Sequence, residues 1–203
     1  MTDFNRIAKK TVWVLFLAQS FASAGFIAAA AINPILGAKL ASDRSWATLP
    51  TAAYLLSGAL SASAWGIIMD RIGRRNGIVS GLLIGILGNI LVLFAIQHAS
   101  FLLVILGLMM MGATNSAVQL GRFAAAEVHP PDRRGRAISM VVLGGVIGTI
   151  LARVSAVPMS GFVVSLGMDE LAGAYATTLI LFAIAAVLVF AGLRPDPRDV
   201  GKE

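Results

Sequence analysis

The sequence predicts an all-α fold, a polytopic membrane protein with six transmembrane helices. Three observations carry this expectation. The 203-residue chain is 58% hydrophobic and only 13% charged, about half the charged share of an ordinary soluble domain. Its apolar residues gather in runs of about 20, the length that crosses a bilayer as helix. The runs lack the even-odd alternation of a membrane barrel, so helix is the spanning state that satisfies the backbone in lipid. The composition excludes a soluble globular enzyme, a disordered chain and a coiled coil. The absence of Cys excludes a disulfide-stapled secreted domain.

The runs place spans near residues 12–35, 47–69, 77–97, 101–125, 137–158 and 172–193, in a single bundle over 1–203. Pro34, Pro50 and Pro158 fall near expected span ends, where a missing N–H costs least. Trp13, Trp46 and Trp65 also fall near ends, where indoles favour the interface. Basic residues cluster before the first span (Arg6, Lys9, Lys10), after the second (Arg71, Arg74, Arg75), after the fourth (Arg133, Arg134, Arg136) and after the sixth (Arg194, Arg198, Lys202). The other side holds only Lys39 and Arg44. The positive-inside rule then puts both termini in the cytoplasm, with the chain in the inner membrane. This topology accounts for the net charge of +6 without nucleic acid, which would need one continuous basic surface. The basic start and Ala22-Ser23-Ala24 mimic a cleavable signal, yet the apolar run continues through Ala31, so the first span is expected to be retained.

Between the second and third spans the chain reads Gly66-Ile67-Ile68-Met69-Asp70-Arg71-Ile72-Gly73-Arg74-Arg75. Gly58, Ala62, Gly66 and Asp70 recur every four residues. They form a small-residue stripe that lets another helix approach closely, ending in a carboxylate suited to a helix N-terminus. The segment resembles the loop signature of the major facilitator superfamily, Gly-x-x-x-Asp-Arg-x-Gly-Arg-Arg, at the topological position where that family carries it. A second stretch, from Glu127 through Pro130, Pro131, Asp132, Arg133, Arg134, Gly135 and Arg136 to Ala137, resembles the family's loop between helices four and five. The tail Leu193-Arg194-Pro195-Asp196-Pro197 is similar to the exit from helix six in some bacterial members.

The resemblance covers essentially the whole chain as an N-terminal six-helix half of an antiporter-like bacterial carrier. It implies that Gly66 and Asp70 contact a helix of the other half and latch the outward-facing state. It implies that Arg74 or Arg75 pairs with Glu127, the acidic residue at the end of helix four. It also implies that helices one and four line the central cavity, so that Gln19 and Ser23, and Asn115, Gln119 and Arg122, look into the substrate path. The alternative for these polar faces is interhelical hydrogen bonding. Asp70→Asn is expected to impair transport more than Asp196→Asn.

The chain departs from the family in two places. Leu108 and Met111 stand where proton-coupled members carry Arg and Gln. Gly144, Gly145 and Gly148 match the Gly-rich helix five of antiporters, but the Gly-Pro pair there reads Ala152-Arg153. Arg153 is an intramembrane charge, either functional or snorkelling to the outer interface about one turn away. Gly77, Gly81 and Gly85, and Gly144, Gly148 and Ala152, read as packing stripes within the bundle. All ten acidic residues lie in loops, tails or span ends, so no proton relay is evident.

Three function classes differ in their demands. A carrier would move a small solute by rocking two halves around a central site. An intramembrane serine protease would need a Ser facing a His inside the membrane, and both His98 and His129 fall in loops. A truncated or accessory six-helix protein would have no transport activity of its own. The first class is favoured, with no cofactor or metal, and with the bilayer, a small-molecule solute and a second six-helix half (a second copy or a separate chain) as partners. Arg122 hints at an anionic solute, whereas the antiporter-like helix five hints at efflux of a hydrophobic one.

Overall fold

The computed structural model describes the backbone of residues 2–200 and the side chains of residues 6–199; Asp3, Lys202 and Glu203 lie outside that description of side chains. The elements run α1 (Thr2–Leu40), a 3-10 turn (Arg44–Trp46), α2 (Leu49–Ile72), α3 (Arg74–Gln97), α4 (Phe101–Gln119), α5 (Gly121–Glu127), α6 (Arg134–Ser165), α7 (Ala172–Gly192) and the short α8 (Pro197–Val200). Among the described residues, six helices are long and apolar enough to cross a membrane, with α4 and α5 forming one of them. No strand occurs among the described residues.

Two helices run well past the expected spans. Pro34 lies inside α1 and Pro158 inside α6, rather than near helix ends. With 32 residues, α6 is about 48 Å long, against an apolar core of about 30 Å. A helix that stopped at its proline would expose unpaired backbone groups to lipid, so both continue through it. Pro50 alone sits where its ring costs little, in the first turn of α2.

The helices pack as a chain of neighbours, α2 on α4, α4 on α3, α3 on α7, α7 on α1, and α1 on α6. This makes α2 and α6 the edge helices, with broad exposed apolar faces. Lipid tails are as apolar as leucine, so helix association here needs close van der Waals contact and hydrogen bonds rather than water exclusion. Glycines supply the closeness. A Cβ on Gly88 of α3 would fall 2.8 Å from the Gly107 carbonyl oxygen of α4. The buried Phe182 ring of α7 lies between Gly25 of α1 and Gly85 of α3, where added Cβ atoms would meet it at 2.9 and 2.7 Å. Phe26 meets that ring edge-on, with centroids 4.8 Å apart. The stripe on α6 works the same way against α1: a Cβ on Gly148 would stand 2.8 Å from the Ser20 carbonyl.

Hydrogen bonds tie the same seams. Thr114 of α4 donates to the Gly81 carbonyl of α3 at 2.9 Å, and Thr178 of α7 donates to Gly25 of α1 at 2.9 Å. Tyr175 donates to the Asn33 side chain at 2.8 Å, both residues being buried. Trp65 belongs to this set and not to the interface. It is buried, and its indole N–H donates to the Ala113 carbonyl at 2.8 Å. Ala22 and Ala24 of the signal-like triplet are fully buried in α1.

Gly88→Ala should lower the melting temperature of the detergent-solubilised chain by an amount equivalent to about 1–3 kcal/mol of overpacking. Gly161, with no heavy atom within 4 Å of an added Cβ, should accept alanine neutrally or with a gain of about 0.5–1 kcal/mol from helix propensity. Circular dichroism melts of the two variants check this contrast.

Candidate functional site

A single residue, Gly73, separates α2 from α3. Its φ of +91° is a region L side chains rarely adopt, and an added Cβ would collide with the Asp196 carboxylate. The motif's second glycine is thus set by backbone geometry and by the tail packed against it. The helix behind it begins with Arg74, whose guanidinium grips Glu127 through Nη2 to Oε1 at 2.7 Å and Nε to both oxygens at 3.0 and 3.1 Å. The same Nη2 reaches Asp70 at 3.0 Å. Arg74 is largely buried in this contact, with 16% of its side chain exposed, while Asp70 keeps 68% exposed. Charge-assisted bonds from a planar guanidinium to a carboxylate are among the stronger polar contacts a protein makes.

The structure separates the two arginines that the sequence left as alternatives for Glu127. Arg74 makes the pair. Arg75 turns to α7, donating to the Phe190 carbonyl at 3.0 Å and lying 4.4 Å over the Phe190 ring. Arg71, like Asp70, is exposed.

The tail holds this corner in a way no motif announced. Asp196 accepts the backbone N–H groups of Arg74 at 3.1 Å, Arg75 at 3.0 Å and Arg198 at 3.0 Å. It therefore caps the N-terminus of α3, where a carboxylate also meets the positive end of the helix dipole. Arg198 does the converse for α2, donating to the carbonyls of Asp70 at 3.1 Å and Arg71 at 3.0 Å. Asp196 is therefore no silent comparator for Asp70. A carboxylate set between Pro195 and Pro197, two residues before Arg198, was the sequence signal available.

Gly66 and Ala62 lie on the uncovered side of α2, and an added Cβ at Gly66 meets nothing within 4 Å. Gly58 does not share this openness. Its Cβ would stand 3.2 Å from the Gly112 carbonyl, so the upper end of the stripe packs on α4 inside the bundle.

The expected pathway residues are not gathered at one cavity. Gln19 is buried and donates to Ser23 at 2.9 Å, and both pack against Gly144 and Gly148 of α6. Gln19 borders a void of only about 10 Å³, and its bond to Ser23 lies within α1, four residues apart. Asn115 donates to the Tyr54 hydroxyl at 2.9 Å, holding α4 to α2. Gln119 is exposed. Arg122 lies on α5, beyond a tightened turn at Leu120 where Phe123 bonds back three residues. Its guanidinium covers the Phe123 ring at 5.1 Å, and its buried Nε has no protein partner. Arg153 is exposed and has no ion pair among the described residues. Because α6 runs to Ser165, this charge stands three turns from its helix end rather than one. Arg133 sits at the N-cap position of α6 and is exposed, as are Arg134, Gly135 and Arg136 in its first turn, and Arg134 donates to the His129 carbonyl at 3.2 Å.

At the opposite end of the bundle, Lys39 closes on Asp169, a pairing the sequence did not suggest. The Lys39 ammonium hydrogen-bonds the Asp169 carboxylate and holds its pKa below the ordinary range.

Arg74 and Glu127 thus tie the α2–α3 loop to the end of α5 within a six-helix bundle. The Major Facilitator Superfamily model matches residues 15–203. The chain belongs to the Major Facilitator Superfamily. It is 30% identical to the uncharacterized MFS-type transporter YdeG of Bacillus subtilis (strain 168), over 96% of this chain and 45% of that protein. It is 31% identical to the uncharacterized MFS-type transporter YddS of the same organism, over 95% of this chain and 44% of that protein. A riboflavin transporter, RfnT of Brucella anthropi, shares 33% identity over 74% of this chain and 38% of its own length. The chain spans about half the length of the curated relatives it matches. Members of this superfamily are transporters and not enzymes, and the six apolar helices make this chain a multi-pass membrane protein.

A double-mutant cycle of Arg74→Gln and Glu127→Gln, read from thermal unfolding in detergent, should give a coupling of about 1–2 kcal/mol. Asp196→Ala should cost about 1–2 kcal/mol, as loss of a helix cap does, and should speed amide exchange at the start of α3. A carboxylate with a depressed folded-state pKa adds stability above its unfolded value, near 3.9, and loses it as pH falls through the lower folded value. Asp169→Asn should therefore destabilise the chain at neutral pH and flatten the stability profile below about pH 4. The effect should be small because solvent screens an exposed pair.

Proposed function

We propose that the chain works as one six-helix half of a small-solute carrier that operates by alternating access. Both termini lie on the cytoplasmic side of the inner membrane in this reading, since the basic clusters share one end of the bundle. The observation that carries the proposal is the state of the α2–α3 loop. Arg74 is fixed to Glu127 and also reaches Asp70, whose carboxylate stays 68% exposed, and Gly66 on the same edge helix has nothing within 4 Å of an added Cβ. A complementary six-helix half, on the same or another polypeptide, would dock its own helix there in the outward-facing state and leave in the inward-facing one. Rocking of two halves around a central site is how repeat-built carriers move solute.

Riboflavin is the first solute to test, given the relative that carries it. Arg122 supports a hydrogen-bond-accepting or anionic group on the solute, because its buried Nε has no protein partner, and the ring carbonyls of uncharged riboflavin are such acceptors.

The chain has no native Cys, so Gly66→Cys provides a clean label site. With the complementary half present, maleimide labelling at position 66 should fall several-fold relative to the chain alone. Asp70→Asn should restore labelling and cut riboflavin uptake into proteoliposomes at least tenfold. Labelling indifferent to both changes would refute docking at this loop.

A further inference from the structure

The end of the bundle that carries the basic clusters holds an open pocket of about 500 Å³, between the start of α1, the turn after α5 and the start of α6. Its floor is apolar: Ala8, Val12, Val128 and Ala137 are all buried. Trp13, 46% exposed, and Met140 form its walls. Lys9, Arg133 and Arg136 stand at its rim with exposed side chains. His129 lines it too. Its Nδ1 donates to the Ala125 carbonyl at 2.9 Å, which leaves Nε2 for the pocket.

These cations differ from those of the neighbouring α2–α3 corner. There Arg74, Arg75 and Arg198 are each bonded to protein acceptors. At the pocket, Lys9 and Arg136 have no ion pair among the described residues. Arg133 reaches only Asp132, at 3.6 Å between two solvent-exposed side chains. Three cations around one apolar hollow repel one another unless an anion joins them. A simple inorganic anion would use the rim and leave the floor wet. A neutral lipid would use the floor and leave the rim uncompensated.

We propose that this pocket binds an anionic amphiphile, with a phosphate or carboxylate head on Lys9, Arg133 and Arg136 and an apolar body along Val12, Trp13 and Met140. Acidic phospholipid and a soluble alkyl phosphate share this chemistry. Basic pockets between helices at the membrane edge take acidic head groups, and guanidinium pairs two-pronged with phosphate. The proposal needs α1 and α6 to span the bilayer and does not depend on the carrier reading, so binding is measured without transport.

The test places the chain in nanodiscs of phosphatidylcholine containing one-tenth brominated phosphatidylglycerol or, as control, brominated phosphatidylcholine. Trp13 reports the pocket, its share of quenching being the part lost in Trp13→Phe. That share should be at least threefold larger with the acidic lipid. It should fall to the control level in the triple variant Lys9→Gln/Arg133→Gln/Arg136→Gln, whose exposed positions leave the fold intact by thermal melt. Decyl phosphate titrated calorimetrically in neutral detergent is the soluble arm. Saturable binding there without lipid preference assigns the site to a soluble amphiphile, and lipid preference that decyl phosphate competes away assigns it to the bilayer. Neither response, or a response that survives in the triple variant or is matched by inorganic phosphate alone, overturns the proposal.

Discussion

Close approach of helix backbones is the constraint on which this molecule depends. In lipid, burying one more apolar side chain gains little, because the surroundings are already apolar. Stability must come from contacts too close for lipid to imitate. The seams meet this demand with glycine: Gly88 against Gly107, Gly25 and Gly85 on either side of Phe182, and Gly148 against Ser20. At these distances hydroxyls reach across to carbonyls of the neighbouring helix, as Thr114 and Thr178 do. The order of neighbours follows, and so does the exposure of α2 and α6 at the edges, which offer broad apolar faces to lipid or to another bundle.

The loop end obeys a different rule, since it meets water and carries the charge. There the structure closes each helix end with an opposite group, Asp196 at the start of α3 and Arg198 at the end of α2. The tail beyond α7 is thereby bound to the loop that binds Glu127 beyond α4. Three connections that are far apart in the chain are bonded together in one corner. That coupling suits a loop whose proposed role is to sense the position of a second bundle, because a helix docking on Asp70 meets a fixed Arg74 and not a mobile one.

Much of this was legible in the sequence. Six apolar runs, the loop signature and the two candidate arginines for Glu127 were readable because hydropathy, charge placement and a fixed spacing are one-dimensional properties. The prolines misled: Pro34 and Pro158 read as end markers because a missing N–H is costly in water-facing helices, whereas lipid makes stopping costlier. Trp65 misled for a related reason. Its position near a span end fits the interface, but which way an indole points depends on the neighbour, here the Ala113 carbonyl of α4. The polar faces of helices one and four were visible as spacings, but the bonds they make, Gln19 to Ser23 within α1 and Asn115 to Tyr54 between α4 and α2, depend on side-chain direction.

The sequence by itself determined the solvent, the number of apolar spans, the family and the residues of the α2–α3 loop motif, since each depends on composition or on neighbours along the chain. The tertiary structure alone decided that Arg74 and not Arg75 grips Glu127, that Asp196 and Arg198 close two helix ends, that Lys39 meets Asp169 across 130 residues, and that Lys9, Arg133 and Arg136 surround an apolar hollow. The physical reason is the same in each case. A charge chooses its partner by distance and direction in space, and those are fixed by how closely the glycine seams let the helices approach.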